Sequence, residues 1–126
     1  MIRTFLLVGL GGAVGSMARY AITLLMPKAS TGSFPTATLL VNLSGCLLIG
    51  LLAGVTVRST WMTHTGWALL ATGLCGGFTT FSAFALDGLK LMESGATTTA
   101  LIYAVLSVAL GMVLCYFGYY LTSSYT

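Results

Sequence analysis

The chain has 126 residues, 57% of them hydrophobic and only 6% charged, with a formal net charge of +3 at pH 7. Soluble domains carry roughly 25% charged residues; five basic and two acidic side chains cannot clothe a water-facing surface, nor are the basic ones clustered enough to bind nucleic acid. A mean hydropathy of +1.00 instead predicts an all-α integral membrane protein, a single domain over residues 1–126 bathed in membrane lipid.

Four apolar segments follow one another, each near the roughly 20 residues that a spanning helix needs. The first runs from about Thr4 to Met26. Its start, MIRTFLLVGLGGAVGS, has the basic residue and small-residue ending of a signal peptide. The apolar run continues through Arg19, however, so an uncleaved span is expected, ended by Pro27 and the KASTGS stretch. The second runs from about Phe34 to Val57, with Pro35 near the first turn, where proline is tolerated, and Arg58 closing it. The third runs from about Thr63 to Leu89, with an interruption expected near Gly76-Gly77 and an exit to water marked by Asp87, Lys90 and Glu93. The fourth runs from about Ala96 to Leu121, and Tyr116, Tyr119 and Tyr120 fall where an aromatic belt belongs. Short connections make neighbouring spans antiparallel.

The third segment is the most informative. ATGLCGGFTTFSAFA (71–85) puts two glycines, a Thr-Thr pair and two phenylalanines inside a run long enough to cross a bilayer. Non-helical backbone at that depth is tolerated only where it is buried in protein or lines a cavity, so the stretch predicts a third helix broken at mid-membrane and a site for an ion or polar substrate. Glycines also recur at four-residue spacing as Gly11/Gly15, Gly50/Gly54 and Gly73/Gly77. Such pairs let helices approach closely in lipid, and plain packing accounts for most of them.

Positive charge is divided almost evenly. Arg3 and Arg58 fall on one side of a four-span layout, Lys28 and Lys90 on the other, with Arg19 just inside the first span. A chain with so little positive-inside bias can insert both ways, and two oppositely inserted copies make an antiparallel dimer.

Some polar side chains within the spans fall in helical register. Thr38 and Asn42 are four apart and share a helical face, as do Tyr103 and Ser107, with Gly111 one turn on. An intramembrane Asn serves helix packing or a pathway. Phe81 and Phe84 share a face directly after the expected break; they are either core or ring edges whose positive rim can hold a small anion without trapping it. Arg19 either snorkels to the interface or attracts anions in a water-filled vestibule. Cys46, Cys75 and Cys115 lack any metal or redox spacing and read as small buried hydrophobes. His64, read as a loop residue, has no partner nearby in sequence, so an enzyme is not expected.

With GGAVGSMARY (11–20), VNLSG (41–45) and GLCGGFTTFSAF (73–84), the chain resembles the Fluc family of small bacterial fluoride channels. The resemblance covers essentially the whole chain. It implies a dual-topology, antiparallel homodimer with two fluoride pores in the cytoplasmic (inner) membrane. It further implies that Asn42 donates its amide to fluoride, that Phe81 and Phe84 turn ring edges to the ion, and that Thr38, Tyr103 and Ser107 continue a polar track. Arg19 would stand in the vestibule. Backbone carbonyls of Gly76 and Thr79 from both chains would hold a structural sodium ion at the dimer centre. Gly111 departs from the pattern, since some members carry serine there. A proton-coupled exporter of the small multidrug type, the competing reading, needs an acidic residue deep in the first span, where this sequence has Arg19.

Overall fold

A computed structural model describes residues 1–28 and 30–124, the side chain of Thr63 excepted. Regular structure among these residues is entirely helical. Helix α1 spans Ile2–Leu25 and α2 spans Thr36–Thr56. Met62–Cys75 is wound as a π-helix and runs on into a single turn, α3, at Gly76–Phe78. After two extended residues, α4 spans Phe81–Glu93 and α5 spans Thr97–Ser124. These elements make four stretches apolar and long enough to cross a membrane: Ile2–Leu25, Thr36–Thr56, His64–Glu93 and Thr97–Ser124.

Local chemistry sets the ends. Met26 precedes Pro27 and is extended (φ −83°, ψ 146°), as the pyrrolidine ring requires of its predecessor. Ala29, in the connection that follows, lies outside the described residues. Pro35 caps α2, and the missing proline N–H costs nothing at a helix start. Helix α4 ends in a Schellman turn: Ala96 N–H donates to Leu91 O at 2.9 Å and Gly95 N–H to Met92 O at 3.1 Å. Gly95 has φ +80°, a conformation in which a side chain would be strained. His64, expected in a loop, instead lies within the π-helix, exposed.

The spans associate as two pairs, α1 against the π-helix and α2 against α5. Both seams are built on glycine. A Cβ at Gly11 would strike Leu69 O, one at Gly15 would strike Leu74 O, and one at Gly73 would lie 2.8 Å from Val8 O. Likewise a Cβ at Gly50 would strike Cys115 O, and one at Gly118 would come within 2.6 Å of Leu47 O. Where lipid tails are as apolar as leucine, such close backbone approach supplies the packing energy that the hydrophobic effect cannot. The core is correspondingly thin: Leu91, Ala100 and Tyr103 are buried against Phe34, Leu39, Phe84 and Ala96. Most large apolar side chains face outward, among them Phe5, Leu10, Leu101 and Val113.

Candidate functional site

The helix stops between α3 and α4. Thr79 (φ −79°, ψ 158°) and Thr80 (φ −150°, ψ 116°) are both extended. The stop lies later than the glycine pair suggests. Gly76 is helical (φ −63°, ψ −36°) and both glycines belong to α3. Gly77 serves close packing, since a Cβ there would strike Gly12 O, whereas Gly76 has no heavy atom within 4 Å of the same position.

Asn42 holds the extended segment. Its Nδ2 donates to Thr80 O at 2.9 Å, and Thr80 N–H donates to its Oδ1 at 2.8 Å. The side-chain amide thus pairs with Thr80 as a neighbouring strand would. In a continuous helix Thr80 N–H would bond the Gly76 carbonyl; here that carbonyl is released. Gly45, one turn beyond on α2, lets the backbone come near, because a Cβ there would strike Thr79 Cγ2. Thr79 N and Oγ1 both donate to Cys75 O at 2.9 Å, and Thr80 Oγ1 caps α4 by accepting from Ala83 N–H at 3.1 Å. On the far side, the Gly77 carbonyl accepts from Ser16 Oγ at 3.3 Å and Arg19 Nε at 3.2 Å.

Beside the extended segment lies a groove of about 450 Å³ lined by Asn42, Gly76, Thr79, Phe81, Phe84 and Ser107. Phe81 is 80% exposed, its ring centroid 5.5 Å from that of Phe84. Phe84 in turn meets Tyr103 at 5.1 Å, and Phe34 sets its edge to Tyr103 at 5.6 Å and 83°. The Tyr103 and Ser107 hydroxyls are, among the described residues, the buried side-chain polar atoms with no hydrogen-bond partner. An unsatisfied buried hydroxyl costs about 1–3 kcal/mol, and these two lie four residues apart on one face of α5.

Thr38 occupies the next turn of α2 from Asn42, and its Oγ1 donates to Asp87 Oδ2 at 2.6 Å. Asp87 is half-buried rather than simply marking the exit to water. It also lines a second, polar cleft of about 460 Å³ with Ser30, Ser33, Lys90, Glu93 and Ser94. Asn42, Gly76, Thr79, Phe81, Phe84 and Ser107 therefore meet at the groove, with Tyr103 and Thr38 continuing from it. Arg19 stands apart, on the α1 side of the interruption. Gly111 is buried against Cys46, whose Sγ lies 3.2 Å from where a Cβ would be. Sequence reading overlooked Thr80, Ser16 and the inward role of Asp87. Only Asp87 carried a usable signal, the three-residue spacing from Phe81 to Phe84 to Asp87.

Residues 6–119 match the model of the family described as CrcB-like protein, Camphor Resistance (CrcB). The chain belongs to this family. The chain is 49% identical to the fluoride-specific ion channel FluC of Paracoccus denitrificans (strain Pd 1222), over 89% of this chain and 88% of that one. It is 36% identical to the FluC of Azobacteroides pseudotrichonymphae genomovar. CFP2, over 97% and 98%. It is 42% identical to fluoride-specific ion channel FluC 2 of Rhodococcus jostii (strain RHA1), over 95% and 99%. The resemblance seen in GGAVGSMARY, VNLSG and GLCGGFTTFSAF thus extends over nearly the full chain. These CrcB relatives are named as ion channels, not as enzymes or multidrug exporters. With four apolar helices of spanning length, the chain is a multi-pass membrane protein.

Proposed function

We propose that this chain is a subunit of a fluoride-selective channel that passes the ion passively across the bacterial inner membrane and lowers cytoplasmic fluoride. Two chains inserted in opposite orientation form the active particle, with two pores between them. The observation that carries this reading is the pair of buried, unpartnered hydroxyls of Tyr103 and Ser107 beside the groove of Asn42, Phe81 and Phe84. Fluoride is small and strongly hydrated, and removing its water is very costly. A pathway must supply donors in its place. Two free hydroxyls, the second Nδ2 hydrogen of Asn42 and phenyl ring edges do so without a full positive charge. A weakly attractive, multi-point route is what conduction needs.

The antiparallel dimer rests on the balanced loop charges and on the exposure of Phe81, which a second copy would cover. A third span discontinuous at membrane depth fits the extended Thr79-Thr80 pair, since such backbone is tolerated only where protein or a cavity lines it. A structural sodium ion fits the same place. The Gly76 carbonyl is released by the diversion of Thr80 N–H, and Gly76 and Thr79 line one groove. A hard cation takes oxygen ligands, and two chains would offer four such carbonyls.

Liposomes loaded with fluoride or chloride test the reading. The reconstituted protein releases fluoride down its gradient and retains chloride. Equal chloride release, or fluoride movement only with a proton gradient, would refute it. Diffraction with the sodium exchanged for a heavier monovalent cation tests the metal, and water alone at the Gly76 and Thr79 carbonyls would remove it.

A further inference from the structure

Phe81, Phe84 and Asp87 follow one another at three-residue spacing on α4, each side chain the neighbour of the next, in a row that winds from the exposed Phe81 to the half-buried Asp87. A carboxylate therefore continues the stripe that carries the two aromatic rings. Its Oδ2 takes the hydroxyl hydrogen of Thr38 at 2.6 Å. Thr38 has one O–H, so with that hydrogen engaged it presents only lone pairs to an anion. The Tyr103 side chain, 1% exposed, stands beside the Thr38–Asp87 pair and feels the carboxylate's charge, although its hydroxyl makes no hydrogen bond of full geometry there. On its other side Asp87 lines the polar cleft of about 460 Å³, where the remaining charged side chains are Lys90 and Glu93. Helices α2 and α5, which pack against α4, carry no charged residue. Nothing on them offsets the carboxylate. Asp87 thus stands where the cleft joins the Tyr103 end of the polar stripe.

We propose that Asp87 is an affinity-setting residue of the fluoride route, weakening anion binding at Tyr103 by placing a negative charge there and by engaging the Thr38 hydroxyl hydrogen. The proposal rests on the fluoride-conduction reading above. Tyr103, Ser107 and Thr38 as three free donors would hold a small basic anion strongly, and an ion that cannot leave does not conduct. Asp87 removes one of those donors and repels the ion from the remaining pair, so that residence at this end stays short.

The test is the fluoride-concentration dependence of efflux from liposomes containing the full-length protein. Asp87→Asn keeps an acceptor for the Thr38 hydroxyl and removes the charge. The half-saturating fluoride concentration then falls by at least about threefold, and maximal flux falls as departure slows. Glu93→Gln, which neutralises the same cleft without touching Thr38, leaves the half-saturating concentration unchanged. An unchanged or raised value in Asp87→Asn overturns the proposal, as does an equal fall in Glu93→Gln, which would make the effect one of cleft charge in general. Asp87→Ser serves the same comparison if the asparagine variant does not fold. Absence of fluoride efflux from the unmodified protein would instead overturn the conduction reading itself.

Discussion

At the scale of single residues, Asn42 is the residue on which the site turns. Its amide satisfies both backbone groups of Thr80, at 2.8 and 2.9 Å. Asn42→Ala leaves a part-buried N–H and C=O unpaired, which costs about 2–4 kcal/mol. Asn42→Asp still accepts from Thr80 N–H but faces the Thr80 carbonyl with an acceptor, so it loses a similar amount. Thermal unfolding in detergent checks both, and melting temperatures matching the parent would show that the clamp contributes nothing. Asn42 stood out in the sequence because an amide among apolar residues is conspicuous. Its partner did not, because a bond across 38 positions has no local signature. The same limit hid the Thr38–Asp87 bond, across 49 positions. Gly111 supplies a second prediction. A Cβ there would stand 3.2 Å from Cys46 Sγ, with no other heavy atom within 4 Å. Gly111→Ser therefore carries a clash cost against Cys46 of about 1 kcal/mol, offset in part by the replacement of a helical glycine, and Cys46→Ala removes most of that cost. A thermodynamic cycle of the two changes measures the coupling, and additive losses would show that the pair do not press on each other.

At the scale of elements, the glycine pair at 76–77 separates two jobs that the sequence merges. The apolar period identifies the four helices, and their short ends are set by proline and glycine chemistry visible in the chain. A Gly-Gly dipeptide also suggests where a helix fails, yet both glycines are helical and the backbone opens at Thr79-Thr80. The opening is decided by tertiary partners: Asn42 draws Thr80 out, while Arg19 and Ser16 accept the loss of the helix by capping Gly77 O. Gly77 lets α3 lie on α1 at Gly12. Gly77→Ala drives a methyl into that carbonyl and costs about 1–3 kcal/mol. Gly76→Ala meets nothing in the chain itself and gains up to about 1 kcal/mol from reduced unfolded-state freedom. Paired melting curves decide it: equal losses in the two variants would show that neighbouring glycines share one role. A loss confined to assembled protein at Gly76 would instead locate the second chain at that position.

At the scale of the whole molecule, the open face around Phe81 and the even charge division meet in one argument. A lone chain exposes 80% of Phe81 beside the groove, a surface that a second chain would wall off in the proposed dimer. In a four-span layout Arg3 and Arg58 on one side nearly balance Lys28 and Lys90 on the other, with Arg19 just inside the first span, and under the proposed dual topology the wall would be an inverted copy. Orientation in such a chain is sensitive to a few residues, because basic side chains near span ends govern insertion. Adding two lysines to the connection between the second and third spans drives every chain one way, and adding them to the connection between the third and fourth drives every chain the other. Each variant expressed alone releases no fluoride from liposomes, and the two expressed together restore release. Full activity from either variant alone would mean that one orientation suffices, and the wall around Phe81 would then have to come from chains lying parallel.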